Sequence, residues 1–303
     1  MDKNIQKIAI DIGYGDTKVM TKDKIFKFPT AITLQKESQS DFTNSSKDVY
    51  SFNGFEYIVG EKALADAIST RGFDFILNYS PLIIYHAIKK AGLDTSQPIE
   101  ITTGLSIINW QHSDELLKTL EIININNEII EPTIRLMAQG QGIFFDYDGE
   151  KNEGDVCIVD IGYNTFDFLV FTNGEPRKDL SFASKIGAHR IITELQNQIQ
   201  KRFDIEISEQ LAKEKFNSGY IEILGERIDL SDEIEKAKIQ YTNYIIDELK
   251  AKRGDFLKTA KKVIFSGGGA YFLENLEAIK NTKNIDFSKK PYEFSNVRGY
   301  YYG

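Results

Sequence analysis

The sequence predicts an α/β protein made of two similar halves, each a mixed sheet of five strands flanked by helices. The tetrapeptide Asp-Ile-Gly-Tyr occurs twice, in "AIDIGYGDTKVM" and, 149 residues on, in "IVDIGYNTFDFLVF". Each copy directly follows an apolar run, and the surroundings repeat too. In each half a strand breaks at a glycine turn, a second strand follows, and a third comes after another turn. A duplication of about half the chain is much longer than a solenoid repeat.

In the first half "KIAIDIG", "DTKVMTK" and "KIFKFPTAI" read as three consecutive strands, antiparallel through the turn at Gly13–Gly15. Residues 35–53 are polar and serine-rich, which suggests a loop or a small variable excursion. "EYIVGEKALADAI" gives a strand, a glycine turn and a helix. "SPLIIYHAIKKAG" predicts a helix with Ser80 as N-cap, Pro81 in its first turn and Gly92 as its stop. "IEITTGLSI" is a strand ending in a turn.

After Gly154 the pattern restarts with strand, glycine turn, strand, "TNGE" turn and strand. Helices are predicted over "AHRIITELQNQIQKRF" and over "DEIEKAKIQYTNYIIDELKAKRG", the latter ending at Gly254. "KKVIFSGGGAYFLENLEAI" reads as a buried strand, a triple-glycine turn and a helix.

Composition narrows the function classes. Apolar residues at 41% and charged residues at 27% are the balance of a globular protein. The apolar runs are too short to cross a bilayer, and the N-terminus has no long apolar segment, so a cytoplasmic protein without membrane contact is expected. Cys157 is the only cysteine, which excludes an internal disulfide, and with three histidines a zinc site is not expected. The net charge of −8 comes without a basic block, so direct nucleic-acid binding is not expected either.

The two repeated turns carry the chemistry. Glycine lets backbone N–H groups approach phosphate oxygens with no Cβ in the way. An aspartate at each strand end, Asp11 or Asp160, can hold water on a phosphate-bound magnesium ion, which keeps most of its hydration shell. Lys18 and Thr165 add a cation and a hydroxyl. One such turn is commonly an ordinary hairpin; two, heading similar halves, point to a phosphate clasp. Neither matches the P-loop, and the first leads into a strand rather than a helix, which disfavours a dinucleotide fold. In "VIFSGGGAYFL" Gly267, Gly268 and Gly269 are more glycines than a tight turn needs, and suit close passage of a flat ligand.

Taken in order, "DIGYGDTK", "MAQGQGIFFD", "DIGYNTFD" and "FSGGGAYF" resemble the motifs of the actin/Hsp70/sugar-kinase superfamily: two phosphate loops, a connecting helix and an adenosine motif. The chain looks most like the bacterial ParM (StbA) plasmid-segregation type. The second loop (Asp160, Gly162, Thr165, Asp167), the "KFPTAI" segment and the ending "PYEFSNVRGYYYG" carry that likeness. Two positions depart from it: Ala138-Gln139 stands where Pro-Glu is usual, and Ser106 where proline is frequent.

The resemblance implies an actin-like ATPase fold, two duplicated RNase H-like domains with a nucleotide cleft between them. Domain I would be residues 1–152 plus 288–303, with a small subdomain at about 35–80, and domain II residues 153–287. It implies slow hydrolysis of ATP, or of GTP, with Mg2+, coupled to filament assembly. The partners it implies are further copies of the chain and a ParR-type DNA-binding adaptor. A non-partition cytoskeletal homologue of phage or archaeal type, or a small-molecule kinase of the same fold, is the alternative.

Asp11 and Asp160 are the expected magnesium-water ligands. Gln139, or Gln141 two residues on, would orient the attacking water. Gly13, Tyr14, Gly15, Asp16, Thr17, Lys18, Gly162, Tyr163, Asn164, Thr165 and Asp167 would hold phosphates, with Gly187 near the ribose and Gly267–Gly269 near the adenosine. Cys157, Trp110, His86, His112 and His189 read as structural, Lys236 and Lys238 as a solvated helix face, and Tyr300–Tyr302 as packing on the first domain.

Overall fold

The structure, a computed structural model, describes residues 5–35, 49–68, 72–274 and 276–303. The meander forms as expected: β1 (Gln6–Ile12), β2 (Asp16–Met20) and β3 (Ile25–Pro29). A small sheet follows from β4 (Ile32–Leu34), β5 (Val49–Phe52) and β6 (Phe55–Val59). Part of the expected excursion, 49–52, is therefore strand, while 36–48 lie outside the described residues. The helix expected after β6 is a 3-10 turn, Gly60–Asp66. Then come α1 (Phe73–Ala91), β7 (Ile99–Leu105), α2 (Ser113–Leu120), the hairpin β8 (Ile123–Ile125) and β9 (Glu128–Ile130), and β10 (Thr133–Ala138). The main sheet runs β10-β7-β1-β2-β3.

A short helix, α3 (Gln141–Asp146), leads into the second half. There β11 (Asp155–Ile161), β12 (Phe166–Thr172), β13 (Glu175–Pro176) and β14 (Phe182–Ser184) precede α4 (His189–Phe203) and α5 (Glu209–Ser218). The hairpin β15 (Tyr220–Ile223) and β16 (Glu226–Asp229) leads to α6 (Ser231–Thr259), β17 (Lys262–Ser266), α7 (Glu277–Lys280), β18 (Ile285–Phe287) and α8 (Ser295–Tyr302). The second sheet runs β13-β12-β11-β17-β18 with β14 beside β12, six strands rather than five. The duplication survives in register. Asp11 lies opposite Lys18 in β1–β2, and Asp160 opposite Asp167 in β11–β12.

Two helix ends differ from expectation. Ser80 and Pro81 lie inside α1, not at its start. Phe75 and Ile76, one turn earlier, are both buried in the core. Burying two such side chains contributes about 1.5–3 kcal/mol each, which offsets the roughly 3 kcal/mol cost of an interior proline. Gly92 does end the helix, in the left-handed conformation. Gly254 does not end α6; the helix kinks at Arg253 (φ −144°, ψ 23°) and runs on to Thr259. Cys157 is in the core, where burial pushes its thiol up to about 12.

The halves are joined by a crossing of two short helices. The chain leaves the first sheet into α3, whose Ile143 and Phe144 pack on Val156, Ile158, Leu169 and Phe171 of the second sheet. It returns through α8, whose Val297 and Tyr300 pack on Ala9, Met20 and Met137 of the first. Where they cross, a Cβ on Gly299 would stand 1.7 Å from the Gly142 carbonyl oxygen. Arg298 then clamps Asp146 with a fork of two bonds, Nε to Oδ1 at 2.8 Å and Nη2 to Oδ2 at 2.7 Å.

Gly299→Ala separates two effects of opposite sign. Helix propensity alone predicts a gain of about 1 kcal/mol. The clash with backbone, which cannot swing aside as a side chain can, predicts a loss of about 1–3 kcal/mol. We expect a net loss, read as a lower urea midpoint; a raised midpoint would mean the helices can move apart without cost.

Candidate functional site

The two repeated turns face each other across a cavity of about 340 Å3. That lies within the range of small-ligand pockets. Asp11, at the end of β1, is 4% exposed, and Lys18 Nζ stands 3.9 Å from its Oδ2. Gly13 has room for no side chain, because a Cβ would meet the Asp16 carbonyl oxygen at 2.7 Å. Asp160 occupies the equivalent place at the end of β11. The ring of Tyr163, from the second turn, lies against Gly15 of the first. Lys213 of α5 sits 5.1 Å above that ring, and the Tyr163 hydroxyl donates to Glu209 at 3.2 Å.

Between the turns lies the segment after β10. Gln139 Nε2 donates to Asp11 Oδ1 at 3.1 Å and lines the cavity. Gln141 faces the other way, into an apolar groove with Ile107, Trp110, Leu169 and Phe171. The geometry thus puts Gln139, and not its rival, beside the expected phosphates. Asn296 of α8 completes the floor. Its Nδ2 donates to Asp160 Oδ2 at 2.7 Å, and its Oδ1 accepts from the Gly140 N–H at 2.8 Å.

Burial, reinforced by Asp167 and Asp11, pushes Asp160 up to about 7. Burial raises Asp167 to about 6, although the Ser106 hydroxyl, Thr165 and the Ile107 N–H act against it. Asp11 and Asp160 are buried carboxylates at the ends of equivalent strands that line one cavity, an oxygen donor set that suits a hydrated divalent metal ion, so they fit the expected magnesium.

Gly13, Tyr14, Gly15, Asp16, Lys18, Gly162, Tyr163, Asn164 and Thr165 all line the cavity, as do Gly267, Gly268 and Gly269. Three expected ligands do not. Thr17 points to the opposite face from Lys18, as strand alternation requires, and its Oγ1 bonds to that of Thr30 at 2.8 Å. Asp167 is turned toward the first half, where Ser106 Oγ donates to its Oδ1 at 2.6 Å and the Ile107 N–H at 3.3 Å. Gly187 lies under the second turn; a Cβ there would stand 2.3 Å from the Tyr163 carbonyl oxygen. It lets the start of α4 close on that turn, through Ala188 N–H donating to the Gly162 carbonyl.

The glycine triplet divides its tasks. Gly267, at φ +80°, is pressed against Asp160 and Ile161, and Gly269 against Ile161. Gly268 meets nothing within 4 Å and is the one open toward a ligand. Sequence reasoning missed Asn296, Lys27, Lys213, Phe216, Tyr292 and Glu293 in the lining. Asn296 is 136 residues from Asp160, and no local pattern marks it. Lys27 and Glu293 pair at 3.3 Å, and Tyr271 Oη donates to Glu293 Oε2 at 3.0 Å, joining β3 to the segment after the triplet.

Comparison with known proteins agrees with this arrangement. Residues 9–142 match the family described as "Actin like proteins N terminal domain", and residues 158–278 match "Archaeal actin homologue MreB-like, C-terminal". A curated relative, the archaeal actin homolog of Thermoplasma acidophilum, is 23% identical, with 97% of each chain covered. Among solved structures, the archaeal actin homolog Ta0583 superposes with a TM-score of 0.81 at 21% identity, covering 97% of this chain and 98% of that one. Its complex with ADP gives 0.75 at 19% identity, with 97% of each chain covered. A 15-stranded ParM filament from Clostridium botulinum gives 0.77 at 22% identity, covering 99% and 98%.

Two duplicated α/β halves around a cleft, with both halves matching these families, define an actin-like protein. Within that class the fold is similar to those of the ParM filament protein and of the archaeal actin homolog, and the second half matches the archaeal actin-homologue family.

The raised acids give a pH dependence of defined sign. Asp160 and Asp167 hold protons more firmly folded than unfolded, where the ordinary value is 3.8. Folding therefore takes up protons between about pH 4 and pH 7, and stability falls as pH rises through that window. Urea midpoints across the window should decline for the parent chain, and less steeply for Asp160→Asn. Equal slopes would remove the burial argument.

Proposed function

We propose that this chain is an ATPase that binds Mg-ATP between its halves and polymerises into dynamic filaments, with plasmid DNA segregation as its task. One observation carries the reading: Asp11 and Asp160 end equivalent strands of opposite halves and face one cavity, with Gln139 hydrogen-bonded to Asp11. The ADP complex of Ta0583 and the filament of the Clostridium botulinum ParM support it. We take residues 1–152 with 288–303 as one domain and 153–287 as the other, divided at the two crossing helices.

In this reading Gly13–Asp16 with Lys18, and Gly162–Thr165, hold the phosphates from opposite sides, and Gly268 lies under the nucleoside. Magnesium, when bound, neutralises charge on the phosphate oxygens. Asp11 and Asp160 would hold its water shell, and Gln139 would orient the attacking water. An amide orients but cannot take a proton strongly, so hydrolysis is slow. GTP fits the same clasps. The net charge of −8 suits a protein whose DNA contact is delegated to a ParR-type adaptor. The Thermoplasma acidophilum relative favours a second reading, a cytoskeletal role apart from partition. A neighbouring gene for a small DNA-binding protein would separate the two.

Light scattering of the parent chain with and without Mg-ATP tests the proposal. Asp11→Ala and Asp160→Ala should keep their fold by circular dichroism and lose about 100-fold or more in magnesium-dependent hydrolysis. Normal turnover in both would dismiss the clasp.

Gln139→Ala should still bind ATP and assemble, but turn over about 10- to 100-fold more slowly and disassemble late. An unaltered single-turnover rate would move the water-orienting role elsewhere.

A further inference from the structure

The turn between β15 and β16 is made by Leu224 and Gly225, both at positive φ (52° and 82°). Such a turn suits Asn-Gly, because a left-handed backbone crowds any larger branched or bulky side chain. The same chain follows that rule at Asn53–Gly54, Asn173–Gly174 and Asn126–Asn127. Among the described residues, Leu224 is the one non-glycine at positive φ that is neither Asn nor Asp. Its side chain is also fully exposed, at 101%. The residue is therefore unfavourable in conformation and in hydration at once, and no burial within the chain offsets either.

A matching feature lies at the other end of α6. A cavity of about 890 Å3 is walled by Leu249, Phe256, Leu257, Ile279 and Ile285. Its rim carries Lys250, Lys252, Arg253 and Lys258 against the carboxylate of Asp255. The hairpin tip has the opposite sign, with Glu222 and Glu226 exposed beside Leu224, while Arg227 is drawn back over the Tyr220 ring at 3.6 Å. The hairpin joins α6 at Ser231, and the cavity begins at its last turns. At 1.5 Å per residue these lie about 30 Å apart, so Leu224 cannot fill the cavity of its own chain.

We propose that Leu224 is a docking knob that enters the cavity at the end of α6 in a second copy of this chain. Knob and pocket at different ends of one molecule make a head-to-tail contact, which propagates into an open polymer instead of closing on a dimer. The inference rests on the filament reading above and assigns one of its contacts.

Leu224→Asn, which gives the turn its favoured residue, should fold and bind a fluorescent ATP analogue as the parent does. In Mg-ATP its critical concentration, from pelleting and light scattering, should rise about tenfold or more. Glu222→Lys with Glu226→Lys should also raise it, as should Lys250→Glu with Lys258→Glu, and combining all four reversals should recover part of the loss. Assembly of Leu224→Asn at the parent's concentration would overturn the contact and leave the filament reading standing. If only the charge reversals act, and are not mutually compensating, the cavity takes another occupant and the proposal falls. A parent chain that never assembles with Mg-ATP would overturn both.

Discussion

The contact between Gly142 and Gly299 is the constraint on which the rest depends. Each of the two crossing helices lies on the sheet of the half its chain segment did not come from. The halves can share a cleft only if α3 and α8 approach until backbone touches backbone, which two glycines permit. The Arg298–Asp146 fork then fixes their angle, since breaking one partner of a buried pair strands the other. Asn296, one turn before Gly299, reaches from this crossing to Asp160 and to the N–H beside Gln139. The floor of the site is thus an extension of the joint between the halves.

That joint explains how unfavourable electrostatics is held in place. Asp11, Asp160 and Asp167 are all buried; besides burial, Asp167 and Asp11 raise the preference of Asp160 for the proton, and Asp11 raises that of Asp167. Such a cluster costs stability in the free protein, the pattern expected where a site is built for a charged ligand rather than for folding. Asp167 lies outside the cavity and is tied to Ser106 of the first half. The two halves are therefore linked by polar contacts at two levels, the Ser106–Asp167 bond and, higher in the cleft, the facing turns. A ligand gripped by both turns would bind a closed arrangement more tightly than an open one, the condition for shifting between them.

The departures from sequence expectation have separable causes. Pro81 sits inside a helix because buried Phe75 and Ile76 outweigh local propensity. The extension of α6 past Gly254 follows from Phe256 and Leu257 packing against the second core after the kink, which a stop signal in sequence cannot register. Three glycines in a row suggest a ligand, yet two of them are needed by Asp160 and Ile161. Ser106 looks like a simple loss of proline until its hydroxyl is found on Asp167.

The sequence by itself determined the duplication, the α/β class, the two strand-end aspartates and the glycine turns. All of these are written in short-range periodicity and in residues whose backbone freedom leaves few alternatives. Tertiary structure alone decided that Gln139 and not Gln141 faces the cleft, that Asp167 and Gly187 serve the fold, and that Asn296 joins Asp160. These depend on which groups meet across 24 to 156 residues of chain, as in the approach of Gly187 to Tyr163 and the Gly140–Asn296 bond. Packing of whole helices and sheets fixes such meetings, and no local pattern encodes them.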